Sequence, residues 1–108
     1  MPDKLIDLGP AADIPENSVK RIESGAHALA VYNIGGEFFV TDDECTHGAA
    51  SLAEGILDGD VIECCLHFGA FNVRTGAVVA PPCSIPLRTY KVELRDGKIF
   101  ADLEKTAA

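Results

Sequence analysis

Turn-forming dipeptides recur at short intervals along this 108-residue chain. They are Gly35-Gly36, Asp58-Gly59, Thr75-Gly76 and Asp96-Gly97, and apolar or β-branched residues flank each of them. Such pairs favour the tight turns of β-hairpins, because glycine takes the positive φ angles that these turns require. The sequence therefore predicts an all-β protein built from antiparallel strands.

Six runs between these turns have the composition of strands, and several of them alternate apolar and polar residues. They cover residues 27–34, 37–42, 59–64, 71–76, 88–94 and 98–103. Pro15 disfavours a helix in the segment 12–25, so we expect a loop that leads into a strand at 19–23. No linker or low-complexity tract divides the chain, and its length suits one domain over residues 1–108.

Charge and apolar patterning narrow the classes of function. Seventeen acidic residues against nine basic ones give a net charge of -8, which repels nucleic acid and anionic membranes and suits a protein partner with a basic face. On charge alone, solubility is the simpler explanation. The apolar runs are far shorter than the roughly 20 residues of a membrane-spanning helix, and the start, MPDKLIDLGP, lacks the apolar core of a signal peptide. We expect a cytoplasmic protein with no nucleic-acid or membrane partner.

Two similar loops carry the residues best suited to metal chemistry. IGGEFFVTDDECTHG and LDGDVIECCLHFG each contain a turn, a strand, a cysteine, a histidine and a glycine in that order. The first loop offers Cys45 and His47, and the second offers Cys64 and His67. Two thiols and two imidazoles can hold either a zinc ion or a two-iron, two-sulfide cluster. A third irregular stretch, APPCSIP at residues 80–86, is stiffened by its prolines.

The spacing favours the cluster over zinc. Zinc sites usually take ligands separated by about two to four residues in one loop, and C-x-H is tight for a single ion. If each loop sends its cysteine to one metal and its histidine to the other, the short spacing suits a dinuclear centre. A four-cysteine cluster is disfavoured, because Cys64 and Cys65 are adjacent and Cys83 lies in the proline stretch. A zinc-stabilised interaction module remains the alternative.

The sequence resembles the Rieske-type ferredoxins of bacterial aromatic-ring-hydroxylating dioxygenase systems. The matching stretches are CTHG at 45–48, SLAEGILDGDVIEC at 51–64, LHFGAFNVRTGAV at 66–78 and APPCSIPLRTYKV at 80–92. The resemblance implies a Rieske fold of stacked antiparallel sheets. It also implies that a small cluster-binding subdomain, at about residues 43–85, is inserted in a basal β domain and consists of two hairpin loops and a proline loop.

The same resemblance implies one Rieske-type [2Fe-2S] cluster with two cysteine and two histidine ligands. Carried over by position, Cys45 and Cys64 bind one iron, and His47 and His67 bind the other. Two thiolates and two neutral imidazoles leave the oxidised cluster formally neutral, so it accepts an electron more readily than a cluster held by four thiolates.

The resemblance implies an electron carrier and not an enzyme. Once the ligands are assigned, only His27 remains as an imidazole, and the sequence has no nucleotide-binding motif. Proteins of this type take an electron from an NADH-dependent, flavin-containing ferredoxin reductase and pass it to a terminal ring-hydroxylating oxygenase. We expect this chain to do so as a monomer. A small subunit of an enzyme such as nitrite reductase is a second alternative, since it resembles Rieske domains too.

Two positions beside the ligands predict a low reduction potential. High-potential respiratory Rieske proteins carry an extra disulfide cysteine in each loop, and here those positions hold Ala50 and Leu66. The polar residue that donates to a bridging sulfide in those proteins is also missing, as Phe68 and Gly69 follow His67. We therefore expect a potential near the bottom of the Rieske range of roughly -150 to +300 mV.

The remaining polar and sulfur-containing residues receive simpler interpretations. Cys65 and Cys83 are interpreted as packing residues, and His27 as structural. The acidic run at 42–44, just before the first ligand, fits an acidic docking rim or a solvated turn equally well.

Overall fold

The structure, a computed structural model, describes residues 5–24, 27–44, 50–64, 69–81 and 85–102. In these ranges the chain forms ten β-strands and two short 3-10 helical turns, with no α-helix. The strands are β1 Leu5–Pro10, β2 Ser18–Ser24, β3 His27–Ile34, β4 Glu37–Asp42, β5 Ile56–Asp58, β6 Val61–Glu63, β7 Ala70–Asn72, β8 Val78–Ala80, β9 Thr89–Arg95 and β10 Lys98–Asp102. The helical turns are Ala11–Asp13 and Leu52–Glu54. No helix in the described ranges is long and apolar enough to cross a membrane.

Six strands form the larger sheet, in the order β1-β10-β9-β4-β3-β2, and every neighbouring pair is antiparallel. Its buried side chains include a cluster that we call the first core. The first core consists of Leu8, Ile14, Leu29, Val31, Val40, Tyr90, Ile99 and Ala101. Strands from both ends of the chain contribute to it, so this sheet joins the two ends of the sequence.

The other four strands form a smaller antiparallel sheet in the order β5-β6-β7-β8. A second core packs between this sheet and β3. The second core consists of Ala30, Tyr32, Ile34, Leu52, Ile62, Cys64, Phe71, Val73 and Leu87. Because successive side chains of a strand point to opposite faces, β3 supplies alternate residues to the two cores. This double burial explains why β3 is apolar on both faces.

Most of the predicted strands are confirmed. β3 and β4 have the predicted bounds, β2 and β9 differ from the prediction by one residue at each end, and β10 begins where predicted, its predicted end at 103 lying outside the described residues. The prediction of a strand over 71–76 is wrong beyond Asn72. The Asn72 side-chain oxygen accepts the backbone N–H groups of Arg74 (2.9 Å) and Thr75 (3.2 Å), and these bonds turn the chain.

Three strands were not predicted, and all of them lie at sheet edges. β5 and β8 are only three residues long, and β1 contains Gly9 and ends at Pro10. Short edge strands with glycine or proline carry almost no periodic signal. The strand predicted at 59–64 begins later, at Val61, because Gly59 takes a turn conformation with φ +60°.

Candidate metal centre

One of the four predicted ligands, Cys64, lies within the described residues. The other three, Cys45, His47 and His67, lie outside them, as do Cys65, Pro82 and Cys83. Within the described ranges no three or more histidine, cysteine or carboxylate side chains come together to hold a metal ion. The structure does describe both flanks of each ligand segment. We call residues 45–49 the first ligand segment and residues 65–68 the second.

The second ligand segment is flanked by a β-hairpin. β6 and β7 pair up to Glu63 and Ala70, and beyond that pair the Cys64 N–H donates to the Gly69 carbonyl oxygen at 2.7 Å. We call residues 63–64 and 69–70 the second neck. Cys64 is buried within the second core. The ladder of the smaller sheet therefore ends directly at a predicted cysteine ligand.

The first ligand segment is flanked by the end of β4 and a 3-10 turn. The Leu52 N–H donates to the Asp43 carbonyl oxygen at 2.7 Å, and Glu44 pairs with Ser51 in an isolated antiparallel bridge. The Asp43 carboxylate adds two bonds, from the Ser51 hydroxyl at 2.6 Å and from the Ala53 N–H at 3.0 Å. We call residues 43–44 and 50–53 the first neck. The Asp43 side chain, rather than a longer run of paired strand residues, therefore holds the two sides of the first neck together.

The two necks lie beside one another. Leu52 of the first neck and Cys64 of the second are both in the second core, and Ala50 packs against that core. The contact is closest at Gly55, where an added Cβ would lie 2.0 Å from the carbonyl oxygen of Glu63. The glycine therefore permits a backbone-to-backbone approach between the chain after the first neck and the residue before Cys64. Both ligand segments leave the same part of the fold.

A second close glycine contact holds the chain that follows the proline stretch. Gly76 has φ +80°, and an added Cβ would lie 2.1 Å from the Leu87 carbonyl oxygen. The Leu87 N–H donates to the Gly76 carbonyl oxygen at 2.7 Å, and the Leu87 side chain is buried in the second core. Pro81, the second residue of the proline stretch, is exposed. The proline stretch is therefore fixed at its carboxyl end to the same core as Cys64.

The acidic run at 42–44 differs from both interpretations of the sequence. Asp42 is half-buried and accepts the Tyr90 hydroxyl at 2.5 Å, and Asp43 is buried. Only Glu44 is exposed. The expectation of a three-residue docking rim or solvated turn is wrong, because two of the three carboxylates join strands inside the protein. The buried role of Asp43 was not predicted, because its partners Ser51 and Ala53 lie 8 and 10 residues further along the chain, beyond any local pattern.

The donor chemistry of the described residues fits a Rieske cluster. Cys64 places a thiol among the apolar side chains of the second core, and burial limits the access of water to a sulfur ligand. An iron–sulfur cluster binds thiolate ligands strongly, and water access and hydrogen bonds around the sulfurs adjust its reduction potential.

Comparisons with known proteins identify the family to which this chain belongs. Residues 4–91 match the Rieske [2Fe-2S] domain. The chain therefore belongs to the Rieske [2Fe-2S] domain family, and it carries one Rieske-type [2Fe-2S] cluster.

Within that family the chain is a Rieske-type ferredoxin, similar to ferredoxin components of aromatic dioxygenase systems. It is 49% identical to ferredoxin CarAc of Metapseudomonas resinovorans over 88% of this chain and 90% of that protein. It is 48% identical to the ferredoxin component of the p-cumate 2,3-dioxygenase system of Pseudomonas putida, over 92% of this chain and 86% of that protein. It also aligns with a chain in the solved complex of reduced oxygenase and oxidised ferredoxin in carbazole 1,9a-dioxygenase, with TM-score 0.88, 44% identity and 94% coverage of both chains. The chain is thus an electron carrier rather than a catalytic enzyme.

Proposed function

We propose that this ferredoxin takes single electrons from an NADH-dependent flavoprotein reductase and passes them to a terminal aromatic-ring dioxygenase. The relatives at 48–49% identity are ferredoxins of which one is named for a dioxygenase system, and a 44% identical chain occurs in a complex with an oxygenase. The observation that carries the proposal is the convergence of both necks on the second core, with Cys64 buried at the end of β6. That arrangement brings the described residues that flank the two ligand segments to one part of the fold, which supports a shared site.

We assign Cys45 and Cys64 as ligands of one iron and His47 and His67 as ligands of the other. When bound, the cluster supplies one-electron transfer, and with these four ligands its oxidised form is formally neutral. The Cys64 side chain lies inside the second core, so a cluster iron bound by this thiolate would be shielded from water on that side. We propose that residues 43–85 form the cluster-binding subdomain. The whole of the smaller sheet, from Ile56 to Ala80, lies within that span, which supports the assignment.

A low reduction potential is part of the proposal. Ala50 and Leu66 leave the chain without the cysteine pair of the respiratory proteins, and Phe68 and Gly69 follow His67 in place of the polar residue that donates to a bridging sulfide there. A redox titration should give a midpoint near the lower end of the range of roughly -150 to +300 mV. A midpoint well above about 0 mV would contradict this part of the proposal.

The net charge of -8 supports partners with basic docking faces. Docking with both partners in turn is simplest for a monomer. The cytoplasmic location and the monomeric state remain predictions from the sequence.

The experiment that tests the proposal is purification of the protein followed by iron, sulfide and zinc analysis and by EPR of the reduced form. We expect two irons and two sulfides per chain, the EPR spectrum of a Rieske centre, and transfer of electrons from NADH through an added flavoprotein reductase to a ring-hydroxylating oxygenase. A colourless protein that contains zinc and neither iron nor sulfide would instead establish the zinc module. Isolation only as a tight subunit of a larger enzyme would contradict the shuttle.

A further inference from the structure

Asp43 is the most deeply buried carboxylate among the described residues, with 2% of its surface exposed. All of its hydrogen-bonding groups have partners. Its N–H donates to the Ala28 carbonyl oxygen at 3.0 Å, and its own carbonyl oxygen accepts the Leu52 N–H at 2.7 Å. One carboxylate oxygen, Oδ1, accepts the Ala53 N–H at 3.0 Å, and the other, Oδ2, accepts the Ser51 hydroxyl at 2.6 Å.

The charge of this carboxylate is balanced from β2. The Arg21 Nε lies 3.5 Å from Oδ2, and about half of the Arg21 side chain is exposed. Burial of a carboxylate costs free energy unless it is paired and hydrogen-bonded, and a well-packed apolar residue is often at least as stable at such a site. The arrangement at Asp43 is therefore better explained by what the carboxylate holds in place than by stability alone.

The partners of Asp43 lie on both sides of the first ligand segment. Asp43 precedes Cys45 by two residues, and Ser51 and Ala53 follow the segment. Among the described residues, the single bridge of Glu44 with Ser51 is the only strand pairing across this neck. The bonds at Asp43 are consequently the main restraint, among the described residues, on the separation and direction of the two chain ends that enter and leave the segment.

We propose that Asp43 is a positioning residue for the first ligand pair, and that its bonds to Ser51 and Ala53 hold the chain carrying Cys45 and His47 in the geometry that binds the cluster. This inference rests on the ligand assignment proposed above. In other proteins, mutation of a residue that holds a metal ligand in its orientation lowers metal affinity about 10- to 100-fold. Loss of the Asp43 carboxylate should therefore weaken retention of the cluster and alter its electronic environment, while the sheets stay folded.

The test compares Asp43→Ala, Asp43→Asn and Ser51→Ala with the unchanged protein. Three measurements are made on each: iron and sulfide per chain, the rate of cluster loss to an iron chelator, and the EPR spectrum and midpoint potential of the cluster that remains. Far-ultraviolet circular dichroism of the same samples reports the sheets. Asparagine can accept the Ala53 N–H and donate to the Ser51 hydroxyl, so it keeps both bonds that close the neck.

Two matched controls lie away from both necks. Ser18 donates its hydroxyl to the Pro15 carbonyl oxygen at 2.6 Å, the same length as the Ser51 bond. Asp60 lies 3.5 Å from the Arg74 Nε, the same separation as that of Asp43 from Arg21. Ser18→Ala and Asp60→Ala therefore remove a hydroxyl bond and an ion pair of the same lengths at more exposed positions outside the two necks.

We expect Asp43→Ala to lose its cluster to the chelator about 10-fold faster or more, with a changed EPR spectrum and shifted potential. Ser51→Ala should show the same changes in smaller degree, Asp43→Asn should restore retention and the EPR spectrum, and both controls should match the unchanged protein. Unchanged retention, EPR spectrum and potential in Asp43→Ala would overturn the inference. If Asp43→Ala does not fold, Ser51→Ala decides: normal retention and EPR would then overturn it.

Failure of the inference is distinguishable from failure of the proposed function. If the unchanged protein gives no Rieske EPR spectrum, the proposed ligand set and function are wrong. If it gives that spectrum and the variants at Asp43 and Ser51 leave it unaltered, only the positioning role is wrong.

Discussion

The two necks close their ligand segments in different ways. The second neck continues a hairpin, so the backbone ladder of β6 and β7 brings Cys64 and Gly69 together without help from a side chain. The first neck joins a strand end to a 3-10 turn, and there the carboxylate of Asp43 supplies bonds that a ladder would otherwise provide. Two segments that look alike in sequence are thus supported by local pairing in one case and by tertiary side-chain contacts in the other.

Replacing one histidine in each segment should have the largest effect, and it should be equal for the two segments. His47→Ala and His67→Ala should each abolish the visible and EPR spectra of the cluster, because each removes an assigned iron ligand. The measurement is iron and sulfide content together with EPR of the reduced protein. Cys65→Ser is the control, and it should retain the cluster. A Cys65→Ser protein without a cluster would show that the ligand assignment is wrong.

The contact of Gly55, just after the first neck, with Glu63 of the second neck should be the next most sensitive point. Gly55→Ala forces a Cβ to within 2.0 Å of the Glu63 carbonyl oxygen unless the backbone moves, so we expect it to destabilise the protein by about 3 kcal/mol or more. Gly97→Ala is a useful control, since Gly97 has φ +77° but open space around it, and it should cost only about 1–2 kcal/mol. Denaturant unfolding measures both. Equal losses of stability for the two variants would mean that the backbone at Gly55 can move away from Glu63 at little cost.

Loss of the bond from β9 to Asp42, the residue just before the first neck, should have a moderate effect. Tyr90→Phe removes the hydroxyl that donates to Asp42, and hydrogen bonds to charged groups contribute about 1.5–3 kcal/mol. Tyr32→Phe is the matched control, because the Tyr32 hydroxyl pairs with the neutral Thr41 hydroxyl at 2.8 Å; a loss of about 0.5–1.5 kcal/mol is expected there. Chemical unfolding at neutral pH measures both losses. A larger loss for Tyr32→Phe would contradict the importance of the charged partner.

The same tyrosines give a pH dependence with a defined sign. Burial, together with the nearby Asp42 carboxylate, raises the pKa of Tyr90 to about 12 from its ordinary value of about 10. The unfolded chain therefore loses this proton first, so stability is unaffected below about pH 10 and falls as the pH rises towards 12. Burial also raises the pKa of Tyr32 well above its usual range, with the same sign. Tyr90→Phe should make the decline above pH 10 shallower, and an unchanged decline would contradict the assignment.

The smallest effect concerns two carboxylates of the necks, the exposed Glu44 and the half-buried Glu63. Glu44 stands at the first neck and Glu63 at the second, and neither forms an ion pair with another described residue. Glu44→Gln and Glu63→Gln should each slow electron transfer with a basic partner by no more than about a few-fold at low salt, and should weaken its dependence on ionic strength. Asp96→Asn, in the β9–β10 turn, is the control. Rates independent of salt would indicate that the acidity serves only solubility.

The sequence predicts well what depends on local pattern. β3 and β4 were placed at their observed bounds, because alternation and the Gly35-Gly36 turn define that hairpin by themselves. The doubled cysteine–histidine motif likewise indicated the cofactor that the family match supports. These features need only neighbours in sequence, or a spacing, to be recognised.

Tertiary contacts account for what the sequence did not predict. Asp43 looked like one more acidic residue in a run of three, since nothing local shows that Arg21 and Ala53 would reach its carboxylate. β5 and β8 are too short to have a period of their own and exist because β6 and β7 pair with them. The Asn72 side chain ended a strand that the composition alone would have continued.

The double burial of β3 has a consequence for how the molecule comes apart. Because Leu29 and Val31 lie in the first core while Ala30, Tyr32 and Ile34 lie in the second, neither core can open fully without exposing apolar surface of β3, the strand that both cores share. Unfolding should then be a single cooperative transition, and the amide hydrogens of β3 should be among the last to exchange with solvent. The cluster site should therefore be lost in the same transition as the rest of the fold. Partly unfolded molecules that keep half of the site should not accumulate.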